Sequence, residues 1–311
     1  MNLQFQLTQR PDSSLLFKRN EAGDPRLGET VFTLPEDYGK AEVVLIGCPQ
    51  DEGVRRNSGR VGAEAAPDEV RRCLYRLVAP KSMRLFDLGN TTILQTLEDT
   101  HAAHRRVVEH LLRDGKRVIS LGGGNDIAYP DCAALSAVDG ADILVLNVDA
   151  HLDVRESPQR HSGTPYRQLL TEGLIKPRNF HETVFQPFAV AEAHLAYLNG
   201  LGAQTYSLRN VLTEGVGLFY RALIYQAEAK SIFWGIDMDA VSASDAPGVS
   251  APNATGLSGD DLLTIAQIAG YDRRSRVFEV SEVNPKFDID QRTCRLAAAA
   301  VWTFLDAVCS P

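Results

Sequence analysis

Short aliphatic and β-branched runs alternate along the whole chain with longer segments of helical periodicity, which is the sequence mark of a parallel sheet covered by helices. The runs fall at residues 42–46, 84–87, 117–121, 142–148, 203–207, 231–236 and 276–280, and each is expected to be a strand. Between them, apolar spacing predicts helices over 64–77, 97–113, 187–199, 215–229, 258–270 and 292–308. No internal repeat, low-complexity tract or Pro/Gly/Ser-rich linker divides the 311 residues, so one domain over 1–311 is expected. With 44% apolar residues the chain can bury a sizeable core. The longer irregular stretches are 49–62, 156–164 and 239–256. Ligands of open α/β sheets bind where loops leave the carboxyl ends of the strands, so chemistry is to be sought in these stretches.

A formal net charge of -8 excludes a nucleic-acid partner, because neutralising phosphates needs clustered Lys and Arg. Here the basic residues are scattered, with only short pairs such as Arg55-Arg56, Arg71-Arg72 and Arg273-Arg274. The first thirty residues carry no basic segment followed by an apolar one, and no apolar run approaches the roughly 20 residues that span a bilayer. Neither a secretory signal nor a membrane partner is expected. The five cysteines, Cys48, Cys73, Cys132, Cys294 and Cys309, are widely spaced with no Cys-x-x-Cys, as befits reduced thiols in a cytoplasmic protein.

Two strand ends concentrate charge. The run 142–148 leads into Asn147-Val148-Asp149-Ala150-His151-Leu152-Asp153, and 231–236 leads into Gly235-Ile236-Asp237-Met238-Asp239. In extended backbone, residues two apart share a face, so each end presents converging acids. Either motif alone also suits a turn or a helix cap. Together, four carboxylates and one imidazole at neighbouring strand ends would repel and raise one another's pKa values unless cations offset them. Oxygen-rich ligands with one imidazole suit a hard divalent ion such as Mn²⁺, and four carboxylates balance two such ions.

These segments resemble the ureohydrolase family of arginase, agmatinase and formimidoylglutamase. Matching stretches are Gly122-Gly123-Gly124-Asn125-Asp126, residues 147–153, Ser162-Gly163-Thr164-Pro165, residues 235–239 and Glu282-Val283-Asn284-Pro285. The formimidoylglutamase branch looks closest, through the loops 51–57 and 246–252 and the stretch 284–290. The resemblance implies a three-layer α/β/α arginase-like fold with an eight-stranded, mainly parallel sheet, and assembly into trimers or hexamers. It also implies two Mn²⁺ per chain, with Asp149 and Asp237 bridging both, Asp153 on the first ion, and His151 and Asp239 on the second. Asn125 stands where the family's first ion takes a His, so that ion is expected to bind loosely, to be replaced by another metal, or to be absent. Ser162 replaces a proton-shuttling His, which favours the amidine-cleaving branch, and His161 is a candidate to swing in instead.

The expected reaction is hydrolysis of a C–N bond in a small amidine, N-formimidoyl-L-glutamate giving L-glutamate and formamide. Asp153 is the expected proton carrier, and Glu282 is expected to pair with the cationic amidinium. Arg55, Arg56, Asn57 and Arg155 are candidates for the substrate's carboxylates, since guanidinium matches carboxylate in a two-point fork. Glycines 122–124 lack dinucleotide or P-loop spacing and are read as allowing close backbone approach to the metal centre. Two other readings stand beside this one: a guanidino hydrolase releasing urea from agmatine or arginine, and a catalytically silent relative that has lost its first ion through Asn125.

Overall fold

The computed structural model describes residues 3–310. Its strands are β1 (Thr8–Gln9), β2 (Val43–Gly47), β3 (Leu85–Thr91), β4 (Arg117–Leu121), β5 (Leu144–Val148), β6 (Phe180–Phe185), β7 (Gln204–Ser207), β8 (Ile232–Asp237) and β9 (Ser275–Ser281). They form one sheet in the order β1-β3-β2-β4-β9-β8-β5-β6-β7. Strands β2 to β9 all pair in parallel, and the two-residue β1 adds an antiparallel edge on β3. The expected eight parallel strands are therefore present, with one short edge strand beyond them.

Side chains alternate across the sheet and feed two separate cores. Val43 and Leu45 of β2 face one core, with the helices Ala66–Leu74, Val216–Gln226, Gly259–Tyr271 and Arg292–Cys309. Val44 and Ile46 face the other, with the helices Leu97–Arg113, Ala128–Asp139 and Pro165–Thr171. Sheet and helices thus make the three layers that the alternation implies. Among the described residues, no helix is long and apolar enough to cross a membrane.

Two central elements escaped the sequence reading for physical reasons. The helix Ala128–Asp139 is buried from Ala128 to Ser136, so it shows no polar face and no 3.6-residue stripe, and Pro130 sits in its first turn. Strand β6 reads Phe-His-Glu-Thr-Val-Phe, three polar residues inside a strand buried at five of its six positions. It also carries a bulge: Thr183 pairs with Tyr206 and Phe185 with Ser207, leaving Val184 between them at φ 66°. A β-branched residue in the left-handed region is strained, and the bulge is what requires it.

The chain fills β2, β3 and β4 on one side and β5, β6 and β7 on the other, then returns to insert β8 and β9 between β4 and β5. The reversal places a crevice over the carboxyl ends of β4, β9, β8 and β5, as expected at a switch point.

Candidate active site

Each of these four strands delivers a polar group to the crevice as it ends. Val148 and Ile236 are register partners on adjacent β5 and β8, so the segments that follow them start side by side. Extended backbone does not continue into either segment. Asp149 Oδ1 accepts the His151 N–H at 2.7 Å, and Asp237 Oδ1 accepts the Asp239 N–H at 2.8 Å. Both acids cap a turn with one oxygen and leave the other for a further partner, so the turn-capping reading does not exclude the ligand one. Asp153 reaches the same space from a left-handed residue at φ 47°.

Asp149, His151 and Asp239 hold donor atoms within 4.8 Å of one another, and so do Asp149, Asp153 and Asp237. His151 Nδ1 lies 3.1 Å from Asp239 Oδ2 and 3.4 Å from Asp149 Oδ1. The charge of Asp239 is the main reason that the imidazole is pushed up to about 12. Burial, then the charge of Asp149, lifts the Asp153 carboxyl well above the usual carboxylate range; burial, then Asp239, does the same for Asp237. Burial also raises Asp239, whose Oδ1 is buried with no hydrogen-bond partner. Acids crowded this closely, with a buried acceptor left open, fit divalent cations by the chemistry of the donor set.

Asn125, in the turn after β4, lies against this cluster. Its Nδ2 donates to Asp153 Oδ2 at 2.7 Å and Asp149 Oδ2 at 3.3 Å, and its Oδ1 accepts from Ser281 Oγ at 3.0 Å. Glu282, just past β9, is also left-handed at φ 63°. Its N–H donates to the Gly123 carbonyl at 2.8 Å and its Oε1 accepts the Asn125 N–H at 2.7 Å. Burial pushes its carboxyl up to about 8, and its Oε2 is buried without a partner. Such strain persists where surrounding contacts over-determine it.

A cavity of about 420 Å³ opens over these groups, lined on its outer wall by Asn57, Arg60, Arg155, Ser162, His194 and Ser250. Asn57 Nδ2 donates to Ser162 Oγ at 3.0 Å. The Arg155 side chain crosses Gly163, where an added Cβ would lie 2.9 Å from its Cδ. Among the described residues the Arg155 guanidinium has no ion pair or hydrogen bond, so it is free to meet an anion.

Four sequence expectations are corrected. Arg55 is exposed and held by Glu52 at 2.6 Å. Arg56 spans Glu52 at 2.9 Å and Glu98 at 2.6 Å and donates to the Arg160 carbonyl at 3.0 Å, so it ties loops together outside the cavity. His161 also stays out: its Nδ1 accepts the Gly163 N–H at 3.1 Å, which locks the ring inside its own loop, and burial lowers its pKa. Finally, Gly123 makes room for the Gln50 carbonyl rather than for the metal centre, since an added Cβ would lie 1.7 Å from that oxygen.

Sequence reasoning did not single out Arg60, in a loop, His194, on the helix Glu192–Leu201, or Ser250, inside the matching stretch 246–252, yet all three line the cavity. It also missed the buried support: Asn147 Nδ2 bridges Asp149 Oδ2 at 3.2 Å and Glu182 Oε2 at 2.9 Å, and its Oδ1 accepts from Tyr166 at 2.8 Å. Asn147 was open to the same two-residue spacing as Asp149; Glu182 was hidden with β6.

Residues 41–306 match the pattern of the Arginase family. A formimidoylglutamase of Rhodococcus jostii is 32% identical over 289 residues, 89% of each chain. The crystal structure of Trypanosoma cruzi formiminoglutamase with Mn²⁺ superposes with a TM-score of 0.87 at 32% identity, covering 93% of this chain and 100% of that one. Formimidoylglutamase from Bacillus subtilis gives a TM-score of 0.88 at 25% identity over 95% of each chain.

Proposed function

This chain belongs to the arginase family, and from that premise we propose that it hydrolyses N-formimidoyl-L-glutamate to L-glutamate and formamide. It is a hydrolase of C–N bonds in linear amidines. The observation that carries the reading is the convergence of Asp149, His151, Asp153, Asp237, Asp239 and Glu282 on one cavity at the switch point of the sheet.

Two Mn²⁺ fit this donor set. Asp149, Asp237, Asp153 and the Asn125 amide would hold the first ion, and Asp149, Asp237, His151 and Asp239 the second. When bound, such a pair lowers the pKa of a shared water enough to make hydroxide available near neutral pH. Asn147, Glu182 and Tyr166 hold Asp149 in place through the hydrogen bonds described above. Glu282, with Oε2 unpaired, accepts the amidinium N–H groups and fixes the plane of the reacting carbon. Asp153, the acid beside the nucleophile, takes its proton and returns it to the leaving amine. The unpaired Arg155 and the Asn57 amide, on the outer wall, hold the carboxylates of the glutamate portion. Arg60 braces that wall: its guanidinium donates to the Val249 carbonyl and lies 4.4 Å from the Phe287 ring centroid.

The test is product analysis with the Mn²⁺-loaded protein. Formamide and glutamate from N-formimidoyl-L-glutamate, without urea from agmatine or arginine, are expected. Urea release, or no turnover of any of the three, would overturn the proposal.

A further inference from the structure

We propose that Ser281 is the positioning residue that turns the Asn125 amide so that its carbonyl oxygen faces the first metal position. The inference rests on the reading of Asn125 as a ligand given above. It starts from a shortage of protons in a buried chain of three side chains. Ser281 is fully buried at the end of β9, and its hydroxyl has one proton to give. As the side chains stand, that proton goes to Asn125 Oδ1 at 3.0 Å. Glu279 lies two residues earlier on the same face of β9, fully buried, with both carboxylate oxygens unpartnered. Burial, then the charge of Asp131, lifts its carboxyl well above the usual carboxylate range, and the neighbouring Ser281 hydroxyl acts the other way, favouring the ionised form.

A half-turn of the terminal amide exchanges oxygen and nitrogen with almost no change in shape. Asn125 Nδ2 then donates to Ser281 Oγ, and the Ser281 proton is released to Glu279. The same turn sets Oδ1 against the carboxylates of Asp149 and Asp153, acceptor against acceptor, so it requires a cation between them. With one there, the amide nitrogen, the hydroxyl and the buried Glu279 carboxylate all gain partners, where otherwise Glu279 has none. Ser281 thus links occupancy of the first position to satisfaction of a buried acid that takes no part in the reaction.

Isothermal titration of the metal-free protein with Mn²⁺ tests this without recourse to turnover, using wild type, S281A, S281T and N125A, with near-UV circular dichroism to confirm the fold. The expected result is that S281A weakens one of the two ions about tenfold and leaves the other unchanged, while S281T, which keeps the hydroxyl, binds both as wild type does. Wild-type affinity for both ions in S281A, with one ion weakened in N125A, would overturn the role of Ser281 and leave Asn125 as a ligand. Wild-type binding in N125A would overturn the ligand reading and this inference with it. S281T as weak as S281A, with an unchanged fold, would overturn it too, because the hydroxyl would not be the operative group.

Discussion

At the amino ends of β5, β6 and β7 a cavity of about 800 Å³ is lined by Asp139, Asp142, Arg178, His181 and Tyr206, whereas the cavity at the carboxyl ends measures about 420 Å³. In the larger one, Glu214 and Glu228 are exposed to solvent and the other two acids are matched locally. Asp142 accepts from Lys176 at 2.6 Å, Asn179 at 2.8 Å and Arg178 at 3.3 Å. Asp139 accepts from Ser231 at 2.5 Å and lies 3.6 Å from Arg276. In the smaller one, Asp153 has a neutral amide, and Asp237 has no ion pair among the described residues. Volume therefore does not mark the reactive end of the sheet. Uncompensated buried charge does, because it is stable only in the presence of a bound counter-charge.

The comparison can be broken most sharply by neutralising one acid at each end. D237N is expected to lower formamide release by roughly a thousandfold and to reduce bound manganese, since it removes a carboxylate proposed to hold both ions. D142N is expected to leave both within about twofold, as exposed ion pairs contribute little. Equal defects in the two variants, measured by steady-state turnover and elemental analysis, would end the distinction.

E282Q should come next, with kcat/KM down about 100-fold at unchanged manganese content, the usual cost of losing a charged hydrogen-bond partner. Loss of metal in that variant would instead make Glu282 part of the metal centre. A smaller effect, about a tenfold rise in KM with kcat near wild type, is expected of R155A on the outer wall. R55A should leave KM unchanged, because that guanidinium is engaged by Glu52 outside the cavity.

The mildest test is of stability. Asp153, Asp237, Asp239 and Glu282 have folded-state pKa values above their unfolded ones, Glu282 at about 8 against 4.5. Between those two pH values the metal-free fold retains a proton on Glu282 that the unfolded chain releases, so stability present at low pH is lost as pH rises through the window. Cations take the place of such protons. The Tm gain from Mn²⁺ over EDTA should therefore grow by a few degrees from about pH 5 to pH 8. A gain independent of pH would show that these acids do not face the ions.

Much of this frame was legible in the sequence, and what was hidden was hidden for definite reasons. The runs at 117–121 and 231–236 declared themselves as short, mainly apolar stretches that are buried almost throughout, and the helix at 97–113 by an apolar period that matches its buried face. The helix Ala128–Asp139 and strand β6 did not, one being apolar all round and the other carrying Glu182 into the interior. At the site, Asp149 and Asp237 were found by spacing, yet the spacing argument assumed extended backbone where the chain turns. Arg55 and Arg56 shared their loop with Asn57, and sequence proximity could not say which side chains would be claimed by Glu52 and Glu98. Ser281 and Glu279 carry no motif at all; only the fold sets them behind Asn125.

The bulge at Val184 has a further consequence, for which kinds of mutation the chain can absorb. The extra residue sends Gln186 back toward the site, where its N–H donates to the Ala150 carbonyl at 2.9 Å and its side chain exchanges hydrogen bonds with Thr255 at 2.6 and 2.8 Å. One residue thus fixes the loop after β5 to the long loop after β8. Replacement of Val184 by Asn or Gly would keep the count and relax the backbone at the expense of some packing. Deletion of the same residue would restore a regular ladder and turn Phe185 and Gln186 to opposite faces, releasing both loops. At this position, length is under stricter constraint than identity.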